Sequence, residues 1–228
     1  IEGCDHVVLE HDAVVSSDTG VFINGGTENA LVGVRVLFGG GGATLVTTGV
    51  RIDGGSGHSL SNVTVVNASS IGVSLSATAG ASLDDVRIFD MGFGTGTSDP
   101  TRRGVKLAQT TRTGLSRIIV ASGDGVGVSL EQASNDNALA GVTVGAMTAA
   151  GVQVVDSDRN TLQSIATVNV PVGVAVVGPA RDNLIVDTVL HGDVSMSFAA
   201  DPQGTPAQNS VQGIFQHVGV CNALQSQP

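Results

Sequence analysis

The chain has 228 residues, is 41% hydrophobic and only 13% charged, and carries 32 glycines but no Trp or Tyr. Its wealth of Val, Leu and Ile excludes a disordered chain, and glycines without a three-residue period exclude collagen. A net charge of −10 and a pI near 4.6 speak against phosphate backbones and anionic membrane surfaces as partners, and no apolar run reaches the ~20 residues of a membrane span.

Read in chain order, a phrase Gly-Val-x-aliphatic recurs. It opens at Gly20-Val21-Phe22-Ile23 and returns at Gly49-Val50-Arg51-Ile52, Gly72-Val73-Ser74-Leu75 and Gly104-Val105-Lys106-Leu107. It continues at Gly127-Val128-Ser129-Leu130, Gly151-Val152-Gln153-Val154 and Gly173-Val174-Ala175-Val176, with a degraded copy at Asp193-Val194-Ser195-Met196. A second phrase, Leu-x-x-aliphatic-x-aliphatic, follows each copy and starts at Leu31, Leu60, Leu83, Leu115, Leu139, Leu162, Leu184 and Val211. The step from Gly to Leu is 11 residues in six of the seven clean copies and 12 in the other, so one unit holds about 23 residues and two strands.

Alternation gives each strand two faces. In Val50-Arg51-Ile52-Asp53 the aliphatic pair points inward and the charged pair outward. The connections are too short for covering helices, so a βαβ fold is excluded. Stacking each strand on its copy predicts an all-β fold, a right-handed parallel β-helix of about eight coils over residues 1–198, with 199–228 as a closing segment of the same domain. The glycine before each strand marks a corner closed to a Cβ. Asn29, Asn137, Asn160 and Asn209 each stand two residues before the second phrase, where a stacked turn ladder accounts for them. A six-residue left-handed repeat, a calcium β-roll and a leucine-rich repeat fail on period, on the missing Asp in Gly54-Gly55-Ser56-Gly57-His58, and on the side of the Leu on which Asn falls.

On these repeats the chain resembles the pectate-lyase-like superfamily of parallel β-helices over nearly its whole length. That group includes polysaccharide lyases, epimerases, glycoside hydrolases, phage tailspikes and bacterial surface proteins. The resemblance implies a fold and no single activity, because the repeat is architectural. No catalytic motif of the group is present, and Asp99-Pro100-Thr101-Arg102 only superficially echoes that of alginate epimerases.

Departures from the period mark the candidate site. Leu31 to Gly49 takes 18 residues and includes four consecutive glycines, Gly39 to Gly42; Leu83 to Gly104 takes 21. Both insertions fall in the same part of the coil with one coil between them, hence ~10 Å apart at ~4.8 Å per strand. The second runs through Asp99, Arg102 and Arg103 into Lys106, the only lysine, so a basic cluster stands out on an acidic chain. An outward column Phe22, Arg51, Ser74, Lys106, Ser129, Gln153, Ala175 lies beside another holding Asp53 and Glu131. One reading is an acidic polysaccharide bound by Arg51, Asp53, Asp99, Arg102 and Glu131, with Lys106 or Arg103 neutralising a uronate and removing its adjacent proton. The plainer reading is solvated strand residues in cross-coil ion pairs.

No histidine pair has metal-ligand spacing, so neither a metal nor a cofactor is expected; Asp84, Asp85 and Asp90 are the nearest thing to a calcium cluster. The expected roles are thus an extracellular or cell-surface β-helix that binds or processes an acidic polysaccharide, or a structural or adhesive solenoid without catalysis. The loop cluster favours the first and the scarcity of aromatic platforms and metal ligands the second; the resemblance ranks the glycan role ahead. Ile1 reads as a processed or truncated start. The first coil lacks a covering helix and is expected to meet more chain, a second copy or another end-to-end partner. Cys4 and Cys221, about eight coils apart, are too distant for a bridge within a straight stack, which leaves free thiols or head-to-tail disulfides.

Overall fold

A computed structural model describes residues 1–16, 18–38, 47–92, 99–198 and 209–216. Among these residues every regular element is a strand and every strand pairing is parallel. The strands stack into three ladders around one aliphatic core. The first sheet holds β3 (Thr19–Asn24), β6 (Thr48–Asp53), β8 (Ile71–Ser76), β10 (Arg103–Ala108), β12 (Val126–Glu131), β14 (Ala150–Val155) and the C-terminal parts of β15 (Thr161–Val177) and β16 (Leu184–Phe198). These make eight rows. The second sheet starts with β1 (Val8–Glu10) and β4 (Ala30–Val32), the third with β2 (Ala13–Ser16) and β5 (Arg35–Phe38). From β7 (Ser59–Val66) through β9 (Ser82–Met91), β11 (Gly114–Gly123) and β13 (Ala138–Met147), one bent strand serves both.

The core is a set of like-on-like columns. Val50, Val73, Val105, Val128, Val152 and Val174 stack in register, as do Ile52, Leu75, Leu107, Leu130, Val154 and Val176. Leu31, Leu60, Leu83, Leu115, Leu139 and Leu162 form a third column, and all these side chains are buried. The repeated glycine is explained by space. A Cβ on Gly49, Gly72 or Gly104 would sit against the carbonyl oxygen of the next coil's glycine and against Val65, Ile88 or Val120 from the third sheet.

The bend between the second and third sheets is a single left-handed residue. His11, Gly33, Asn62, Asp85, Arg117, Gly141, Ser164, Asp187 and Gly213 each occupy it with positive φ. One residue in this conformation reverses the inward–outward alternation, so both sheets present their aliphatic side to the core. Side chains other than glycine pay conformational strain there, which the stacked neighbours hold in place.

Two repeat assignments near the C-terminus differ from the sequence frame. Ile185, rather than Leu184, pairs with Leu162, and Met196, rather than Val194, pairs with Val174. Leu184 and Ile185 are adjacent aliphatics, so the pattern alone does not say which faces the core; further on, the β15–β16 register is irregular between Thr167 and Val170, which alters the count before Val174 meets Met196. Ser210–Gln216, which falls inside the expected closing segment, is β17 and stacks in parallel on β16. The rest of that segment lies outside the described residues.

The shifted frame reveals Asn183 as a ladder member. Asn137, Asn160, Asn183 and Asn209 are linked coil to coil, each Oδ1 accepting the backbone N–H of the preceding member at 2.9–3.0 Å and its Nδ2 at 3.1 Å. A parallel ladder joins Thr110, Ser134 and Ser157, whose hydroxyls accept the preceding coil's N–H at 3.2 and 3.1 Å. Buried turn amides that the sheets leave unpaired are satisfied this way.

Candidate functional site

The outer face of the first sheet carries the expected columns. Phe22, Arg51, Ser74, Lys106, Ser129, Gln153 and Ala175 are in register, and Asp53, Ser76, Ala108 and Glu131 form the neighbouring column. Both insertions enter this sheet at its N-terminal corner, between β5 and β6 and between β9 and β10. Residues 39–46 and 93–98 within them lie outside the described residues.

Every expected cation at this face has a carboxylate partner. Arg51 pairs with Asp53 at 2.5 Å, and its guanidinium lies 5.1 Å from the centroid of Phe22. The hydrogen bond to Asp53 raises the Arg51 pKa above its ordinary value, outweighing the opposing effect of burial. Arg103 Nε donates to Glu131 Oε1 at 2.7 Å, while its Nη1 donates to the carbonyls of Pro100 and Arg102. Lys106 Nζ reaches Glu131 Oε2 at 3.5 Å. Burial pushes the Glu131 carboxyl up, but the hydrogen bond and charge of Arg103, with the charge of Lys106, prevail and hold it below the usual value. Arg103, Lys106 and Glu131 therefore form one triad with a net positive charge.

Arg102 does not join that face. Expected to be solvent-facing, it is buried, and its guanidinium pairs with Asp124 and lies 3.7 Å from Asp99. The reason is the corner: Arg102 is the last residue before β10, so its side chain leaves on the side opposite to the half-buried Arg103, which faces Glu131. Asp99 closes a local turn, accepting from the Thr101 hydroxyl at 2.6 Å and backbone N–H at 2.9 Å; these bonds lower its pKa. Asp99 and Arg102 thus anchor the end of the insertion. Asp124 was missed by sequence reading, although it stands 22 residues after Arg102, about one coil on, which is the signal for a stacked partner.

The third row of the face is different. Ser74 and Ser76, both short, separate the Arg51–Asp53 row from the Lys106 row. With strands ~4.8 Å apart, the flanking rows stand about 10 Å apart, and the serine row between them forms the floor of a shallow trough. Asp53 and Glu131 are three strand spacings apart, about 14 Å, which is too far for the two-carboxylate chemistry of glycoside hydrolysis. Neither Lys106 nor Arg103 stands as an unengaged base, since both face Glu131.

Elsewhere, Asp84 bonds Ser116 and Arg117, and Asp85 bonds Arg87 at 3.1 Å. Among the described residues no group of His, Cys, Asp or Glu gathers as a metal site. Among the described residues no helix is long and apolar enough to cross a membrane. Cys4 is an exposed free thiol, and Cys221 lies outside the described residues.

Comparison with solved structures places the chain beside an endo-xylogalacturonan hydrolase from Aspergillus tubingensis, at 10% identity and TM-score 0.50, covering 91% of this chain and 86% of that one. A periplasmic alginate epimerase, AlgG, gives 9% identity and TM-score 0.48 over 94% and 76% of the two chains. The tailspike protein of E. coli bacteriophage HK620, in complex with a pentasaccharide, gives 11% identity and TM-score 0.43, covering 85% of this chain but 38% of that one. These likenesses concern the fold. No curated protein matches the chain in sequence. The family model described as right handed beta helix region matches residues 19–190, most of the length, and on that match and the stacked parallel architecture the chain belongs to the right-handed β-helix family.

Proposed function

We propose that this β-helix binds an acidic polysaccharide outside the cytoplasm, in the trough on the first sheet, and holds it without cleaving it. The observation that carries this reading is the serine row between two charged rows, beside both insertions, on a face whose triad is net positive while the whole chain is −10. Ser74 and Ser76 offer hydroxyl hydrogen bonds to sugar hydroxyls, and Arg51 and Lys106 offer charge to a uronate carboxylate. Lys106, farther from Glu131 than Arg103 is, supplies the cation with the least to give up. The distance between Asp53 and Glu131 supports binding over hydrolysis.

A structural or adhesive solenoid is the second reading. It is favoured by the internal pairing of Arg51, Arg102, Arg103 and Lys106, which leaves each charge satisfied without a ligand.

Retention on polygalacturonate and alginate in affinity electrophoresis separates the two. The parent should be retarded by the acidic polymers and not by a neutral glucan, and the double variant Arg51→Ala/Lys106→Ala should run free while keeping its β spectrum. Arg102 is left intact because its loss would disturb the insertion itself. A parent that is not retarded, or a double variant retarded equally, favours the solenoid reading.

A further inference from the structure

One position of the asparagine ladder holds a histidine. Asn29 and His58 occupy equivalent turns of the first two full coils, each two residues before the column of Leu31 and Leu60. The backbone N–H of Asn29 donates to His58 Nδ1 at 3.3 Å, as the N–H of Asn137 donates to the Oδ1 of Asn160. Asn29 Oδ1 in turn accepts the N–H of Val7 at 2.9 Å, and its Nδ2 donates to the Cys4 carbonyl at 2.8 Å. His58 therefore continues into the first coil the work that asparagine performs at the other end.

The substitution is not neutral toward protons. Nδ1 accepts, so it carries no hydrogen, and Nε2, 3.3 Å from the Gly54 carbonyl, must donate. This fixes one neutral tautomer. A second proton can only go on Nδ1, where it would face the Asn29 N–H donor. The ring is fully buried, and that burial, outweighing the hydrogen bond to the Gly54 carbonyl, lowers its pKa. No charged group touches the ring. On the packed turns, Glu28 pairs with His6 at 2.9 Å in solvent, Asp53 pairs with Arg51, Asp5 bonds Thr27, Glu2 lies near Asn24, and the following turn from Ala77 to Ser82 has no ionisable residue.

We propose that His58 is an acid-sensitive staple that fastens the first coil to the stack and releases it on protonation. The sign follows from linkage. The folded protein binds this proton less readily than the unfolded chain, so the stabilisation is complete above the ordinary histidine value near 6.5 and declines as pH falls from there toward the lowered folded value. The first coil bears Phe22, on which Arg51 rests, so release would also loosen one wall of the trough.

Native-state hydrogen exchange of the full chain between pH 7.5 and 5.5, corrected for intrinsic rates, tests this. Opening of the amides of Val7, Asn29 and Leu31 should rise with falling pH, by up to about tenfold per pH unit for one linked proton, while Asn137, Asn160 and Asn183 stay level. His58→Asn, which restores a pH-independent acceptor, should abolish the rise; His6→Gln should keep it. A parent without the rise, or His58→Asn with an undiminished rise, overturns the proposal. Should His58→Asn not fold, 15N shifts of the parent's imidazole decide: an Nε2–H tautomer that persists below pH 6.5 supports the staple, and an Nδ1–H tautomer or titration at the ordinary value overturns it.

Discussion

Arg102 and Lys106 are four positions apart and of like charge, yet their loss should have opposite consequences. Arg102 is buried with Asp124 and touches the Gly92 carbonyl at 3.4 Å, so Arg102→Ala strands a carboxylate with little access to water. We expect a loss of about 2–4 kcal/mol in urea unfolding, toward the range of broken buried pairs. Lys106→Ala removes a longer, more exposed contact and should cost about 0.5 kcal/mol. Glu131 ties the triad to pH. Its lowered pKa means that its stabilisation is present above the ordinary carboxyl value near 4.5 and is lost as pH falls through the folded value. Glu131→Gln should therefore destabilise the protein at pH 7 and flatten the acid limb of a stability–pH curve; an unchanged limb would show that the triad is not the source.

Turns and corners, more than strands, distinguish one coil from the next. Asn137 accepts the Thr113 N–H at 2.9 Å and donates to the Thr110 carbonyl at 2.9 Å, so Asn137→Ala takes the partner from two buried backbone groups of the preceding coil. A cost of about 2–4 kcal/mol is expected from equilibrium denaturation. At the left-handed corner, Ser164 has φ 53 and is exposed, so Ser164→Gly should stabilise by up to about 1 kcal/mol and Ser164→Val should destabilise by at least as much. The same chemistry in the first sheet gives a different result. Gly104 has no room for a Cβ, because the Gly127 carbonyl and Val120 are already there, so Gly104→Ala should fail to reach native stability, as melting temperature would show.

On the scale of the whole molecule, each coil among the described residues contacts only its neighbours, about 23 residues away, and stability is close to a sum over adjacent coils. Hydrogen exchange should therefore be slowest in central rows such as Val105 and Val128 and faster toward Ile23. Leu130→Asp places a charge in the central column and should prevent folding, with loss of the β signal in far-ultraviolet dichroism. The exposed Cys4 should react promptly with a maleimide in the native protein.

By itself the sequence determined the class of fold, the coil length, the buried columns and the shared corner of the two insertions. Each of these follows from local alternation and from the need to bury the same face every 23 residues. It also placed Arg51, Asp53, Lys106 and Glu131 on one face, because a parallel stack turns an equal offset within the repeat into proximity. Tertiary structure alone decided the rest. Arg102 turned inward because one residue at a corner reverses the side on which a side chain emerges, and no period announces which residue that is. The frame slipped at Ile185 because Leu184 beside it is equally aliphatic, and at Met196 because Val194 fits the same pattern and the irregularity near Thr167 alters the count without leaving a mark in composition. His58 read as a scattered histidine until register put it in the asparagine column, where the direction of a backbone N–H, invisible in one dimension, assigns its proton.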